Sequence, residues 1–348
     1  MPKSLKKDTP KISIVTCTYN GERIIKDYLE GIFLQDYPIK DMEIILADGG
    51  STDRTKEIIS SYQTNHPKLI KLIHNPKKVS IGKGNGMDMA TRLAKGEIII
   101  LLDQDNILVQ KNWISRAVEM LENNPKITAV QSRLFSSKNS SLTDKYLNSL
   151  GIEDPFAADY SLNAQITLNP EKFFYDRKDD CFIYQINKKR FFYAGDNGFI
   201  IRRKEFLETG GYTQDIENFY RMANSGKNYF IAVPKNLVLH HKTSTTFKHM
   251  LAKRVFYVRH YLMKNYENRD FYWFDLKKNT LSQNARFLRA TFYNLLIIPN
   301  LVSSFKIALK RREGFWFIHP IASFAITLGY IYAFFSSKLF KSYEEAEV

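Results

Sequence analysis

The chain has 348 residues, of which 44% are hydrophobic and 14% aromatic, and this composition excludes a disordered protein and leaves room for one large domain or two. Its cysteines, Cys17 and Cys181, are far apart and lack metal-type spacing, which excludes a disulfide-rich secreted fold and favours reduced thiols in the cytosol. Residues 1–10 form a basic tail without the apolar core of a signal peptide, so we expect the working face of the protein to be cytoplasmic.

The formal net charge of +15 is concentrated in the C-terminal third of the chain. Residues 241–348 hold 17 Lys and Arg against 7 Asp and Glu, and the same segment contains the longest uncharged apolar stretches. Basic residues next to apolar stretches favour an anionic membrane surface as the partner over nucleic acid. We therefore predict membrane association and no nucleic-acid binding.

The first hundred residues alternate short apolar runs, polar glycine-containing loops and segments with helical spacing. The apolar runs predict strands and the helical spacing predicts helices. The predicted strands are 11–17, 42–47, 69–74 and 97–102, and the predicted helices lie within 22–35, 55–65 and 82–95. This alternation predicts right-handed β-α-β units and an α/β, Rossmann-like fold with a mostly parallel central sheet and flanking helices.

The fourth apolar run, Ile98 to Leu102, ends directly in Asp103-Gln104-Asp105. Open α/β sheets bind ligands at the carboxyl ends of their strands, and two acids one residue apart can approach one hard cation and the phosphate oxygens it neutralises. Asp also favours turns, so the spacing alone leaves a simple turn equally open. The rest of the chain has to decide between these two interpretations.

The loops after the other strands contain candidate nucleotide contacts. Tyr19 could lie against a flat base, Asp48 could accept a hydrogen bond from a base N–H, and the Gly49-Gly50 backbone permits close approach. Lys83 lies in a glycine-rich stretch that resembles a phosphate-contacting loop without being a Walker motif. Each of these residues is also compatible with a packing or turn role, so none of them decides the function alone.

Five segments between residues 11 and 241 together carry a more specific signal than any single motif. They are ISIVTCTYNGE (12–22), ADGGSTD (47–53), LAKGEIIILLDQDN (93–106), AGDNGFIIRRKEFLETGGY (194–212) and QDIENFYRMANSGKNYFIAVPKNLVLHH (214–241). In this order and spacing the chain resembles the family 2 glycosyltransferases with the GT-A fold. The resemblance implies a GT-A catalytic domain over residues 11–245, with a nucleotide-sugar half at 11–106 and an acceptor half at 107–245.

The resemblance also implies binding roles for individual residues. The implied nucleotide-sugar contacts are Thr18, Tyr19, Asn20, Asp48, Lys83 and Asp103. The implied ligands of a divalent metal, Mg²⁺ or Mn²⁺, are Asp103, Asp105 and His240. His240 is explained equally well as a structural histidine that closes a strand, and both explanations stay open. This chain has Gly49 where many members of the family have a second acid, which leaves the identity of the base open.

The catalytic carboxylates follow from the same resemblance. Counting back from Gly226 places Asp215 as the general base and Glu217 as the acid after it, with Gln214 where a first acid is usual. A carboxylate within hydrogen-bond reach of a sugar hydroxyl is a sufficient base, and the metal would stabilise the charge of the leaving nucleoside diphosphate. One base opposite the leaving group implies a single displacement with inversion, although Asp196 or Glu217 stays open as a second carboxylate.

The implied reaction moves one sugar from a nucleotide-diphosphate sugar to a lipid-linked or surface-glycan acceptor. Processive members of the family carry Gln-x-x-Arg-Trp after the base region, whereas here Arg221 is followed by Met222, so we predict a non-processive enzyme. Two alternatives stay open: a nucleotidyltransferase, and a catalytically inactive glycan-assembly subunit. Against the second stand the three acids Asp103, Asp105 and Asp215.

The C-terminal region, residues 246–348, is predicted to be helical and membrane-associated. Residues 315–335 contain no Asp, Glu, Lys or Arg and are long enough to span a bilayer. Residues 290–309 form a second apolar stretch, and the basic run 310–312 between the two favours the cytoplasmic side. We expect the 290–309 stretch to lie in the membrane interface, and residues 315–335 either to cross the membrane once or to form a shallow re-entrant element. The catalytic domain is expected to face the cytoplasm at the cell membrane. The alternative is that both stretches are buried helices of a soluble domain.

Overall fold

The computed structural model describes residues 11–78, 85–160, 174–178, 180–188, 192, 197–213, 216–242, 246–263 and 266–346. They form two compact units, and each is described by itself. The described residues up to 135 and from 174 to 242 form the first unit, and residues 136–160 and those from 246 onward form the second. The first unit thus ends close to the predicted boundary at 245. Residues 136–160, predicted in the acceptor half, group with the C-terminal helices instead.

The first unit is built on a large mixed sheet. Within the described residues the strands of this unit are β1 (Ile12–Thr18), β2 (Met42–Asp48), β3 (Ile70–His74), β4 (Ile98–Leu101), β5 (Asn106–Ile107), β6 (Ile127–Gln131), β7 (Arg133–Phe135), β8 (Asp176–Lys178), β9 (Cys181–Ile186), β10 (Phe199–Arg202), β11 (Tyr229–Pro234) and β12 (Val238–His241). The main sheet has the order β3-β2-β1-β4-β10-β6-β11-β9-β8, and a small sheet has the order β5-β12-β7. Strands β1 to β4 are parallel, and β10 enters antiparallel between β4 and β6.

The helices of the described residues are distributed over both units. Those of the first unit are α1 (Ile25–Phe33), α2 (Thr55–Asn65), α3 (Gly86–Leu93), α4 (Trp113–Asn123), α7 (Arg203–Glu208) and α8 (Glu217–Asn224). Those of the second unit are α5 (Leu142–Leu150), α6 (Pro155–Asp159), α9 (Phe247–Tyr257), α10 (Leu281–Leu296), α11 (Ile298–Arg311) and α12 (His319–Ala346). The four strands and three helices predicted in the first hundred residues are all present, and α2 has the predicted bounds.

The central strands are apolar on both sides because helices cover both faces of a largely parallel sheet. Ile14, Ile44 and Ile100, in three adjacent strands, are fully buried. The register then fixes where these strands end. Thr18 pairs with Asp48, and the backbone N–H of Leu102 donates to the carbonyl of Val15 at 3.2 Å. The residues that follow β1, β2 and β4 therefore meet at one edge of the sheet.

The second unit is helical. Its helices α10 and α11 meet at Ile297 with a bend of 83°, and Ile297 has a φ of +61°, a conformation that a β-branched residue rarely adopts. Pro299 in the first turn of α11 suits the start of a new helix. Among the described residues, the segment Gly314–Ser336 is long and apolar enough to cross a membrane, and the bent pair would pass the same test as one broken span. Length and composition alone support these two statements.

Candidate functional site

The turn after β2 is organised by the carboxylate of Asp48, which is 4% exposed. One carboxylate oxygen accepts the backbone N–H groups of Gly50 and Ser51, both at 2.9 Å. The other accepts the hydroxyls of Ser51 at 2.5 Å and of Thr18 at 3.3 Å. An ionised carboxylate has about four acceptor positions. A base contact by Asp48, as predicted, would therefore have to replace one of these bonds.

The loop after β1 presents the ring of Tyr19, which is 52% exposed. Asn20 adopts a φ of +45°, which Asn tolerates better than most residues. Its side-chain oxygen accepts the N–H of Thr52 at 2.9 Å, and its own N–H donates to the hydroxyl of Ser51 at 3.0 Å. A Cβ on Gly49 would lie 3.4 Å from the Tyr19 ring. The loop is thus bonded to its neighbour and leaves an aromatic face open.

The loop after β4 carries Asp103 and Asp105, both partly exposed. The buried side chain of Asn106 holds it: its oxygen accepts the N–H of Asp103 at 3.2 Å, and its amide donates to the Asp105 carboxylate at 3.1 Å. The same amide donates to the side-chain oxygen of Asn197 at 2.8 Å. Asn106 stands directly after the Asp-x-Asp motif in sequence, and this adjacency is the signal that could have identified it.

Gln104, the middle residue of the motif, bonds the loop after β1. Its side-chain oxygen accepts the N–H of Tyr19, and its amide nitrogen donates to the carbonyl of Tyr19, both at 3.1 Å. No role for Gln104 was predicted from the sequence. The pairing joins residues 85 positions apart, so local patterns carry no signal for it.

The structure brings His241, rather than His240, to the acidic loop. The Nε2 of His241 lies 3.4 Å from the Asp105 carboxylate, and His241 is 4% exposed. His240 instead places its ring edge against Phe135, with 6.3 Å between the ring centroids. Successive side chains of a strand point to opposite faces, so the two histidines of β12 cannot both face Asp105. The predicted metal role of His240 gains no support from these contacts.

The acidic loop supplies some, but not all, of the ligands that a divalent ion needs. Among the described residues, no three His, Cys, Asp or Glu side chains converge as a metal cage. Mg²⁺ usually binds one or two carboxylates and completes its shell with substrate phosphates and water, so Asp103 and Asp105 fit such an ion. Burial chiefly, and next the Asp103 charge, raises the pKa of the nearby Cys17 thiol.

The structure describes only some of the residues that were predicted to act in catalysis. Asp215, Lys83 and Asp196 lie outside the described residues. Glu217, at the start of α8, is 3% exposed. Its helix is bonded to the preceding loop: Arg221 donates to the hydroxyl of Thr213 at 2.6 Å, and Asn218 donates to that of Thr209 at 2.8 Å.

The sequence model of glycosyl transferase family 2 matches residues 13–210, which is more than half of the chain. The chain belongs to glycosyl transferase family 2. This match confirms the resemblance seen in the sequence and the predicted enzyme class, a glycosyltransferase.

The relatives of this family 2 member are distant and only partly aligned. An uncharacterized glycosyltransferase of Haemophilus influenzae is 32% identical over 128 residues, 37% of this chain and 38% of that protein. The poly(ribitol-phosphate) beta-N-acetylglucosaminyltransferase TarS of Staphylococcus aureus is 26% identical over 123 residues, 35% of this chain and 21% of that protein. The chain thus matches well under two thirds of the length of these relatives.

A solved structure shares the fold of this family 2 member. The mannosyltransferase PcManGT from Pyrobaculum calidifontis, solved in complex with GDP-Man and Mn²⁺, superposes with a TM-score of 0.53 at 17% identity, over 95% of this chain and 90% of its own. This likeness supports the predicted GT-A α/β fold class. At this identity it shows the fold alone.

Proposed function

We propose that the protein is a metal-dependent, inverting glycosyltransferase that moves one sugar from a nucleotide-diphosphate sugar to a cell-envelope glycan or lipid-linked acceptor. The observation that carries the proposal is the meeting of three loops at one sheet edge. These loops supply the open ring of Tyr19, the Asp48 turn, and the acids Asp103 and Asp105. An aromatic face and paired acids are what a base and a metal-bound diphosphate require.

Each loop has a separate part in the proposed reaction. The Tyr19 ring offers a stacking face for the base. Asp103 and Asp105 would hold Mg²⁺ or Mn²⁺, which supplies charge stabilisation for the leaving diphosphate. Asn106 and His241 fix the carboxylate of Asp105 in place. We propose Asp215 as the general base, and Glu217 is the second candidate, although its burial restricts access to a substrate hydroxyl.

A donor hydrolysis screen tests this proposal without knowledge of the acceptor. The protein would be incubated with UDP- and GDP-linked sugars in Mn²⁺, in Mg²⁺ and in EDTA, and the released nucleoside diphosphate would be measured. TarS is named for N-acetylglucosamine transfer and PcManGT was solved with GDP-Man, so these two sugars come first. We expect metal-dependent release from one donor. Formation of UTP or GTP and a sugar 1-phosphate when pyrophosphate is added would instead indicate a nucleotidyltransferase, and no turnover would favour an inactive subunit.

The membrane part of the proposal rests on an inverted distribution of side chains in two helices of the second unit, α10 and α11. The buried residues of α10 and α11 are Asn284, Ala290, Asn294, Asn300, Ser304 and Ala308. Their large apolar residues are exposed instead, among them Phe292, Leu296, Ile298, Val302, Phe305 and Leu309. A protein surrounded by water buries large apolar side chains and rarely exposes so many together.

A surface of this kind is typical of protein that contacts lipid. Inside the unit, Asn294 donates to the hydroxyl of Thr327 at 3.0 Å and accepts from Asn300 at 2.8 Å, so the buried amides are bonded. Lys310 and Arg312, at the end of α11, are exposed and would face anionic headgroups. We propose that this unit places α10 and α11 in the cytoplasmic leaflet of the cell membrane. Flotation of the full-length protein with anionic vesicles tests it, and protein that stays in the soluble fraction contradicts it.

A further inference from the structure

The middle residue of the Asp-x-Asp motif bonds the two loops that the proposed reaction needs at a fixed separation. Gln104 pairs both polar groups of its side-chain amide with both polar groups of the Tyr19 backbone, each at 3.1 Å. Tyr19 leads the loop after β1, and Gln104 lies between the two acids of the loop after β4. The amide thus connects the proposed base-stacking residue to the proposed diphosphate-binding residues.

The chain around Tyr19 is fitted to this amide. A Cβ on Gly21 would lie 2.5 Å from the side-chain oxygen of Gln104 and 3.0 Å from its amide carbon. Those distances are far inside van der Waals contact, so any side chain at position 21 would displace the amide. The backbone of Gly21 is itself fixed, because its N–H donates to the Thr55 hydroxyl at 2.7 Å. Glycine at position 21 is therefore a requirement of the Gln104 contact.

We propose that Gln104 is a positioning residue for the nucleotide-sugar donor, which acts by holding the Tyr19 loop in register with Asp103 and Asp105. The inference rests on the proposed function. A ligand that engages two loops at once gains affinity when their separation is fixed before it binds. Gln104 need not touch the donor to contribute in this way, and the contribution concerns binding rather than the chemical step.

The fixed separation predicts a specific kinetic pattern. Gln104→Met keeps the length of the side chain but removes both hydrogen bonds. Each bond contributes a net amount of about 1 kcal/mol, so we expect the donor KM and the Kd of the free nucleoside diphosphate to rise about 5- to 30-fold. The kcat should change less than about threefold, because ground-state and transition-state binding are weakened alike. The Kd of the nucleoside without phosphates should change much less, since it does not engage Asp103 and Asp105.

Gly21→Ala provides a second variant that reaches the same state by another route. Its methyl group displaces the Gln104 amide, so we expect the same rise of the donor KM. In a Gln104→Ala background the amide is gone, and adding Gly21→Ala should then have little further effect. Such non-additivity is the signature of two residues that act through one contact.

Gln110 provides the matched control. Both polar groups of its side-chain amide also bond the backbone. The oxygen accepts the N–H of Val238 at 2.9 Å, and the nitrogen donates to the carbonyl of Asn236 at 3.0 Å. Those contacts hold the turn before β12 and the first residue of that strand, three residues before His241, and involve none of the nucleotide loops. Gln110→Met should lower the unfolding temperature while it leaves the donor KM unchanged.

Calorimetric titration of the nucleoside diphosphate, beside donor-hydrolysis kinetics, separates the outcomes. A rise of Kd and KM in Gln104→Met and Gly21→Ala, absent in Gln110→Met and non-additive in the double variant, supports the inference. An unchanged Kd in Gln104→Met, multiplying effects in the double variant, or an equal rise in Gln110→Met overturns it. Wild-type protein that binds no nucleoside diphosphate overturns the proposed function itself, together with this inference.

Discussion

The sheet of the first unit and the helices α10 and α11 of the second unit place polar and apolar side chains in opposite ways. In the first unit the strands bury Ile14, Ile44 and Ile100, and polar residues gather where the strands end. In the second unit α10 and α11 bury asparagine, serine and alanine and expose leucine and phenylalanine. Burial of apolar surface is favourable only where water is the alternative. This contrast is the basis of our proposal that α10 and α11 contact lipid.

The largest expected effect concerns the acids of the first unit. Asp103→Asn or Asp105→Asn removes a proposed metal ligand, and the loss of charge stabilisation should lower turnover by about a thousandfold or more. The measurement is donor hydrolysis at saturating Mn²⁺. Asp27→Asn is the control, because Asp27 is an exposed acid whose partner is Lys242 at 2.6 Å. Full activity of either motif variant in EDTA would contradict the proposed metal dependence.

Ion pairs sharpen the comparison between the units. In the second unit Arg254 donates to Asp154 at 2.6 Å, both largely buried, and Tyr330 donates to the same carboxylate at 2.8 Å. Arg254→Met leaves Asp154 buried without its cation, which should lower the free energy of unfolding by about 3–5 kcal/mol. In the first unit Arg54 pairs with Glu57 at 2.8 Å on the surface.

Arg54→Met is the matched variant of the first unit, and chemical denaturation followed by circular dichroism is the measurement. Solvent screens the exposed pair, so its loss should not change the stability measurably. Equal losses of stability in the two variants would show that the second unit is no less accessible to water than the first.

Substitution of exposed apolar residues in the second unit tests directly whether its surface contacts lipid. Phe292→Glu and Phe305→Glu each remove a large apolar side chain from the proposed lipid-facing surface. A buried phenylalanine contributes about 1.5–3 kcal/mol, so we expect binding to anionic vesicles to fall at least about tenfold for each variant. Phe135→Glu alters an exposed phenylalanine of the first unit and should leave vesicle binding unchanged. Equal effects at all three positions would contradict a lipid-facing surface on the second unit.

The sequence predicted those parts of the fold that depend on local patterns. The apolar runs gave β1 to β4, and the helical spacing gave α2 with its observed bounds, because burial on both faces and 3.6-residue periodicity are visible in a short window. The antiparallel entry of β10 beside β4 was not predictable in this way. Residues 199 and 101 pair across almost a hundred positions, and no local pattern encodes that choice.

The site shows the same division. Asp103, Asp105 and Tyr19 could be predicted to lie together because they follow strands, and parallel strands end at a common edge. Gln104 and His241 required the register of loops and strands that are far apart in sequence. A shift of one residue along β12 exchanges the faces of His240 and His241, and pairing with β5, which places His241 opposite Asn106, decides between them.

The smallest expected effect compares one loop-organising acid in each unit. Asp53 accepts the N–H of Glu22 at 3.0 Å and of Thr55 at 3.0 Å. Burial acts to raise the pKa of Asp53, but hydrogen bonds from the Thr55 hydroxyl and these backbone groups outweigh it and lower the pKa below 3.8. In the second unit, backbone hydrogen bonds from Lys278 and Lys277 lower the pKa of Asp275 in the same way.

A lowered folded-state pKa stabilises the protein above the ordinary Asp pKa, and the contribution is lost as the pH falls through the lowered value. Asp53→Asn and Asp275→Asn should therefore each lower the unfolding temperature at pH 7, and the difference from wild type should shrink between pH 4 and pH 2, where the wild-type carboxyl is itself protonated. Thermal scans over this range measure it, and they require no substrate or membrane. A difference that stays constant down to pH 2 in Asp53→Asn would show that its amide, and not the lost charge, weakens the loop that carries Tyr19.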